Sequence, residues 1–186
     1  MPLNPDRMPL CIRSAVENDL PALASLDAEA FPMEPYPFFV LRQFFDVYRD
    51  HLLVLDDGRL LHGYLIATPP DAGLSWILSL GVTPDSRGHG LGRWLMVQSL
   101  GQLRSERAHE VRLTVDPDND RAVSLYAHLG FTQTGDVQKD YLGPGKHRIL
   151  MTLELPDSAA PPPETPPSAP SARVNSGRQG GPRRSW

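Results

Sequence analysis

The sequence predicts a mixed α/β (α+β) domain over residues 11–155 of the 186. Residues 74–82 and 111–115 alternate bulky apolar with other side chains at the period of two that belongs to strands. Residues 91–103 and 119–129 repeat apolar side chains at three- and four-residue intervals, the period of helices packed on a sheet. Between the first strand and the first helix stands a glycine-rich loop, Arg87-Gly88-His89-Gly90-Leu91-Gly92, followed by Arg93.

In chain order, Cys11 opens an apolar strand. It is the one cysteine of the chain, so no internal disulfide forms, and a small buried side chain is expected there. Pro37 fits a first helical turn, with Phe38, Leu41, Phe44 and Phe45 as the apolar face behind it. His51 to Leu55, the turn at Asp57-Gly58, and Leu60 to Ala67 read as a hairpin. Leu74, Trp76, Leu78, Leu80 and Val82 then alternate with Ser75, Ile77, Ser79 and Gly81. A glycine inside a strand marks a bulge, an approaching ligand or a crowding neighbour.

After the loop, Leu91, Leu95, Met96, Leu100 and Leu103 form one helical stripe. Val111, Leu113 and Val115 make a buried strand, broken by Asp116-Pro117-Asp118-Asn119. Asn119 or Asp118 fits an N-cap. Ala122, Leu125, Tyr126 and Leu129 line the next helix, and Gly130 ends it. After the strand at Cys11, these segments read α–β–β–β–α–β–α from Pro37 to Gly130.

The glycine loop has a chemical reading. Glycines let successive backbone N–H groups converge, and the helix behind them aims its free N–H groups and positive dipole end at the same point. That is a phosphate or pyrophosphate site. Gly92 is followed by Arg93-Trp94 rather than Lys and Ser or Thr, which excludes a Walker loop. Counting from Gly88, the sixth position is Arg93, which also spoils a dinucleotide fingerprint.

Two segments in this order resemble the coenzyme A site of the GNAT N-acetyltransferases. Arg87, Gly90 and Gly92 match the family's R-x-x-G-x-G loop. Asn119, Ala122, Leu125, Tyr126, Gly130 and Phe131 match N-x-x-A-x-x-L-Y-x-x-x-G-F. The branch most resembled is that of the ribosomal-protein-alanine N-acetyltransferases.

The resemblance implies a central mixed, mostly antiparallel sheet with a splayed strand pair and helices on both faces. It implies acetyl-CoA as cosubstrate, bound by Leu80, Gly81, Val82, the loop from Arg87 to Arg93, Asn119 and Tyr126. Leu80 and Val82 would offer backbone groups to the pantetheine arm and hold the oxyanion. Tyr126 would be the general acid that protonates the departing thiolate. Without that resemblance, Asn119 reads as a cap and Tyr126 as a core aromatic. The acceptor, a primary amine on a peptide or small molecule, would meet the segments near 31–50 and 140–147, which hold Glu34, Tyr36 and Tyr141.

In the branch resembled, a Glu in an L-E-V run is the base. Leu113-Thr114-Val115 stands here, and a threonine hydroxyl takes no proton at neutral pH. The base is therefore unassigned, with Glu29, Glu34 or a water chain as candidates. That gap prompts the alternative, a non-catalytic acyl-CoA-binding sensor or interaction module.

The histidines show no ligand spacing, so no metal is expected. No apolar run approaches the ~20 residues that span a membrane, and the first ten hold no secretory signal. A reduced cytoplasmic setting fits, with no nucleic-acid or membrane partner and a homodimer left open. The net charge is −4. Residues 156–186 are rich in Pro, Ser and Arg without apolar period, and a disordered tail is expected there, as is a short N-terminal extension over 1–10.

Overall fold

The computed structural model describes residues 9–156. The expected tail, beyond Pro156, and most of the expected N-terminal extension lie outside the described residues.

The strands are β1 (Cys11–Ser14), β2 (Leu52–Asp56), β3 (Leu61–Ala67), β4 (Leu74–Val82), β5 (Glu110–Val115), β6 (Thr132–Gln138) and β7 (Arg148–Glu154). The helices are α1 (Leu20–Ala30), α2 (Phe38–Tyr48), α3 (Leu91–Ser105) and α4 (Asp120–His128). The element order is the one expected from the sequence, with periodicity carrying it from α2 to α4 and the family resemblance supplying α1 and the closing pair. Among the described residues the strands form one sheet in the order β1-β2-β3-β4-β5-β7-β6. Only β4 and β5 run parallel; the other neighbours are antiparallel.

Each face of the sheet carries two helices. Leu23 and Leu26 of α1 and Leu41 and Phe45 of α2 pack on Val54, Tyr64 and Ile66. Leu95, Met96 and Leu103 of α3 and Tyr126 of α4 pack on Leu65, Ile77, Val111, Leu113 and Val115. Pro37 stands just before α2 rather than inside its first turn. Phe38, expected on the packed face, is 53% exposed, because the buried stripe of α2 runs through Leu41 and Phe45. Cys11 is exposed rather than buried, since β1 is an edge strand that the helices only half cover.

The strand that matters most is β4. Its register with β3 runs from Ile77 to Val82, but with β5 only from Leu74 to Ile77. Ile66 opposes Ser79 and Ala67 opposes Ile77, so Leu78 is the extra residue of a β-bulge. Ile77 therefore faces the α3 side, Leu78 faces the α1 side, and Leu80 and Val82 face the α3 side again. The buried positions of β4 are Ser75, Ile77, Ser79 and Gly81. This is the opposite of what its leucines suggest, because Leu80 and Val82 line an open cleft.

Gly81 has a steric cause. A Cβ there would lie 2.5 Å from Cε1 of Tyr64 and 3.2 Å from Cε2 of Phe31. Tyr64 is fully buried, and its hydroxyl donates to Oδ1 of Asp27 and meets Oγ of Ser79 at 2.8 Å. Asp27 also accepts the Tyr36 N–H at 2.6 Å. The ring thus has nowhere to go. Gly81→Ala is expected to cost about 1–3 kcal/mol by overpacking. A thermal melt several degrees below the parent checks it, and an unchanged melt would mean that the ring yields freely.

Candidate functional site

Where β4 leaves β5, the sheet opens. Thr83 donates to the carbonyl of His62 at 3.0 Å, which sets the alternation of the β3–β4 ladder. Val82 and Leu80 then fall at the non-bonded positions opposite Gly63 and Leu65. Their N–H and C=O groups turn away from β3 and toward the gap. The Val82 carbonyl shows this directly: it accepts Nε of Arg87 at 3.1 Å.

The gap continues as a cleft of about 700 Å³ between β4, α3 and α4. Leu80, Val82, Arg87, Gly88, Gly90, Leu91, Gly92, Arg93, Asn119 and Tyr126 all line it. Ten of the twelve coenzyme positions expected from the sequence therefore meet around one cavity. Gly81 does not line it, because it faces Tyr64. His89 does not either; its exposed ring Nδ1 lies 3.0 Å from the carbonyl of Arg87.

The loop has the conformation that glycine permits. Gly88 and Gly90 have φ of +81° and +77°, and a Cβ at either would meet open space. Gly90 caps α3 with no side chain to satisfy the helix N-terminus. The first N–H groups of a 15-residue helix and its positive dipole end thus face the cleft.

Arg87 does more than border the cavity. Its Nη2 donates to the carbonyl of Ala30 at 3.0 Å while Nε holds Val82. The guanidinium fastens the loop to the end of β4 and to the C-terminus of α1. Burial, with Arg121 nearby, lowers its pKa from the usual arginine value. Arg121 also lines the cleft, so Arg87, Arg93 and Arg121 give its outer part a positive field. His62 bonds Ser86 at 3.1 Å and Asp57 at 2.9 Å, which ties the turn before the loop to the β2–β3 hairpin.

On the other wall, Oδ1 of Asn119 accepts the Ala122 N–H at 3.2 Å, a true N-cap that also borders the cavity. Tyr126 is 1% exposed, with its ring 5.9 Å from that of Phe131. It is a core aromatic and a cleft residue at once.

The expected acceptor residues are distributed differently. Glu34 forms an ion pair with Lys146 at 2.6 Å, joining the α1–α2 segment to the β6–β7 loop. Tyr36 is buried with its ring edge-on to Phe44 at 5.3 Å, so it packs rather than lines the cleft. Tyr141 is half exposed on the β6–β7 loop. Glu29 is exposed on α1. Thr114 is buried on β5 beside the gap.

Sequence reading missed Asp116, Asp118 and Arg121, which line the cavity, and the buried Arg148 beside Asp116. The signal for Asp116 was its place directly after β5, two residues past Thr114. Among the described residues, no group of three or more His, Cys, Asp or Glu side chains is arranged to hold a metal ion. No described helix is long and apolar enough to cross a membrane.

Comparison with known proteins agrees with this fold. The model of the acetyltransferase (GNAT) family matches residues 19–131. The mycothiol acetyltransferase of Beutenbergia cavernae is 44% identical over 84 residues, 43% of this chain and 27% of that protein. That of Frankia alni is 37% identical over 111 residues, 58% of this chain and 33% of that protein. The matches thus span about a third or less of these curated relatives. Ard1 from Thermoplasma volcanium superposes with a TM-score of 0.72 at 22% identity, covering 78% of this chain and 97% of that one. The ribosomal-protein-S18-alanine N-acetyltransferase from Escherichia coli superposes with a TM-score of 0.68 at 22% identity, covering 78% and 94%. The fold neighbours thus include the ribosomal-protein branch, while these sequence relatives bear another name.

Proposed function

The chain belongs to the acetyltransferase (GNAT) family, and from that premise we propose that it moves an acetyl group from acetyl-CoA to a primary amine. Transfer is by direct attack in a ternary complex, with Tyr126 as general acid. The observation that carries the reading is the cleft itself. Backbone edges of Leu80 and Val82 that turn away from β3 run into a helix N-terminus with no side-chain cap, flanked by arginines. A long cosubstrate with an amide-bearing arm and a pyrophosphate fits that sequence of groups. A backbone N–H of Leu80 or Val82 would hold the oxyanion.

The acceptor is a protein N-terminal α-amine or a small-molecule amine. The names of the sequence relatives favour a small molecule, and the names of several fold neighbours favour a peptide. The absence of a carboxylate at Thr114 favours a second reading, an acyl-CoA-binding module without catalysis.

Release of CoA with a panel of peptides and small amines separates these readings. Turnover on at least one acceptor supports transfer. Tight acetyl-CoA binding with no turnover on any acceptor supports the second reading, and no binding overturns both.

A further inference from the structure

We infer that Asp116 takes the proton from the attacking amine. The inference rests on the acetyl transfer proposed above. Asp116 directly follows Val115, the last residue of β5, and Thr114 lies two residues before it. β5 has no β4 partner beyond Leu113, so the gap opens beside both. Of the two, only Asp116 carries a carboxylate, and it borders the cleft that Tyr126, Leu80 and Val82 also line. It is 3% exposed.

The surroundings hold that carboxylate in place. Val115 opposes Ile149, which sets the next pair across the ladder as Asp116 and Arg148. Arg148 is fully buried, with Nη1 3.8 Å from Oδ2 of Asp116. A guanidinium stays protonated, so it supplies the fixed countercharge a buried carboxylate requires. The Asp118 N–H donates to Oδ1 at 3.0 Å and orients the group. The other charged groups around it are Asp118 on the same turn, and Arg87, Arg93 and Arg121 on the walls of the cleft.

The step balances. An acceptor bound as ammonium gives one proton to Asp116, directly or through one water. The freed lone pair forms the C–N bond at the thioester carbonyl, and the C–S bond breaks with its electron pair on sulfur. The second proton leaves the nitrogen as Tyr126 donates to the thiolate, and Tyr126 is reprotonated from it. Asp116 then returns its proton to solvent.

The test is kcat against pH, from about 6 to 9, for the parent, Asp116→Asn and the double variant Asp116→Asn/Arg148→Met, with one α-amine acceptor. Asparagine keeps the acceptor for Asp118, and methionine fills the arginine's place without a charge. Acetyl-CoA affinity by calorimetry is expected to match the parent's. The parent profile is expected to be flat, because the ammonium is deprotonated within the complex. Asp116→Asn is expected to lose about 10²–10⁴-fold near pH 6.5, the usual worth of a general base. The loss should shrink as pH approaches the acceptor's own pKa near 8.

If the single variant fails to fold because Arg148 loses its countercharge, the double variant carries the same readout. A loss equal at every pH would make Asp116 a brace for the turn and overturn the inference. So would no loss, or a parent profile that itself rises with the acceptor's pKa. A parent without turnover on any acceptor overturns the transfer reading and this inference together.

Discussion

Replacing Tyr126 by phenylalanine is expected to leave acetyl-CoA binding intact and slow turnover by about 10²–10⁴-fold, or somewhat less. The ring stays, so its packing on Phe131 and its 1% exposure are preserved. Only the hydroxyl is lost. A free thiol has a pKa of about 8.5 and a tyrosine hydroxyl about 10, so the donor is weakly driven and the loss falls toward the low end. Calorimetry with acetyl-CoA and CoA-release kinetics check the two halves separately. Unchanged kcat, with chemistry established as rate-limiting, would leave Tyr126 a packing residue.

The second large effect concerns the floor of the cleft. Gly92→Leu is expected to abolish acetyl-CoA binding while leaving the fold intact or slightly firmer. Gly92 lies in the first turn of α3 with no positive φ, and a Cβ there meets Leu125, Leu80 and Val82 at 3.7–3.8 Å, ordinary contact distances. The longer side chain fills the space between those residues, which is the cleft. Replacing a helical glycine stabilises the helix by about 0.5–1 kcal/mol. Loss of binding is therefore separable from loss of structure.

Gly90 makes a poorer test. At φ +77°, any β-carbon adds strain of about 1–2 kcal/mol to the steric block. Titration of Gly92→Leu with acetyl-CoA, beside its melting curve, decides the matter. Affinity within tenfold of the parent, about 1.4 kcal/mol, would place the cosubstrate elsewhere. Gly92→Ala is the graded control, with a small expected effect because its Cβ makes only ordinary contacts.

Much of this molecule is written in local pattern. The order of strands and helices from α2 to α4 follows from periodicity, because a helix or strand must bury one face and its neighbours in sequence carry that signal. The loop from Arg87 to Gly92 and the cap at Asn119 are legible for the same reason. A left-handed residue, a helix start and a capping side chain are all settled within a few residues. Tyr126 was legible as a core aromatic, and as a site residue only through the spacing it shares with a family.

The tertiary structure decided what depends on residues far apart. Gly81 could mark a bulge, a ligand or a crowding neighbour, and it is Tyr64 from the neighbouring strand and Phe31 just past α1 that claim the space. The bulge falls at Leu78, where β4 parts from β5, and only strand pairing locates it. Arg87 looked like a phosphate ligand alone, yet two of its donors close on Val82 and on Ala30, 57 residues away. Asp116 meets Arg148 only because β5 and β7 are neighbours in the sheet. Sequence alone determined the elements and the loop's place between strand and helix, which are local. Which side chains share the cleft depended on long-range register, to which the period of a strand or helix is blind.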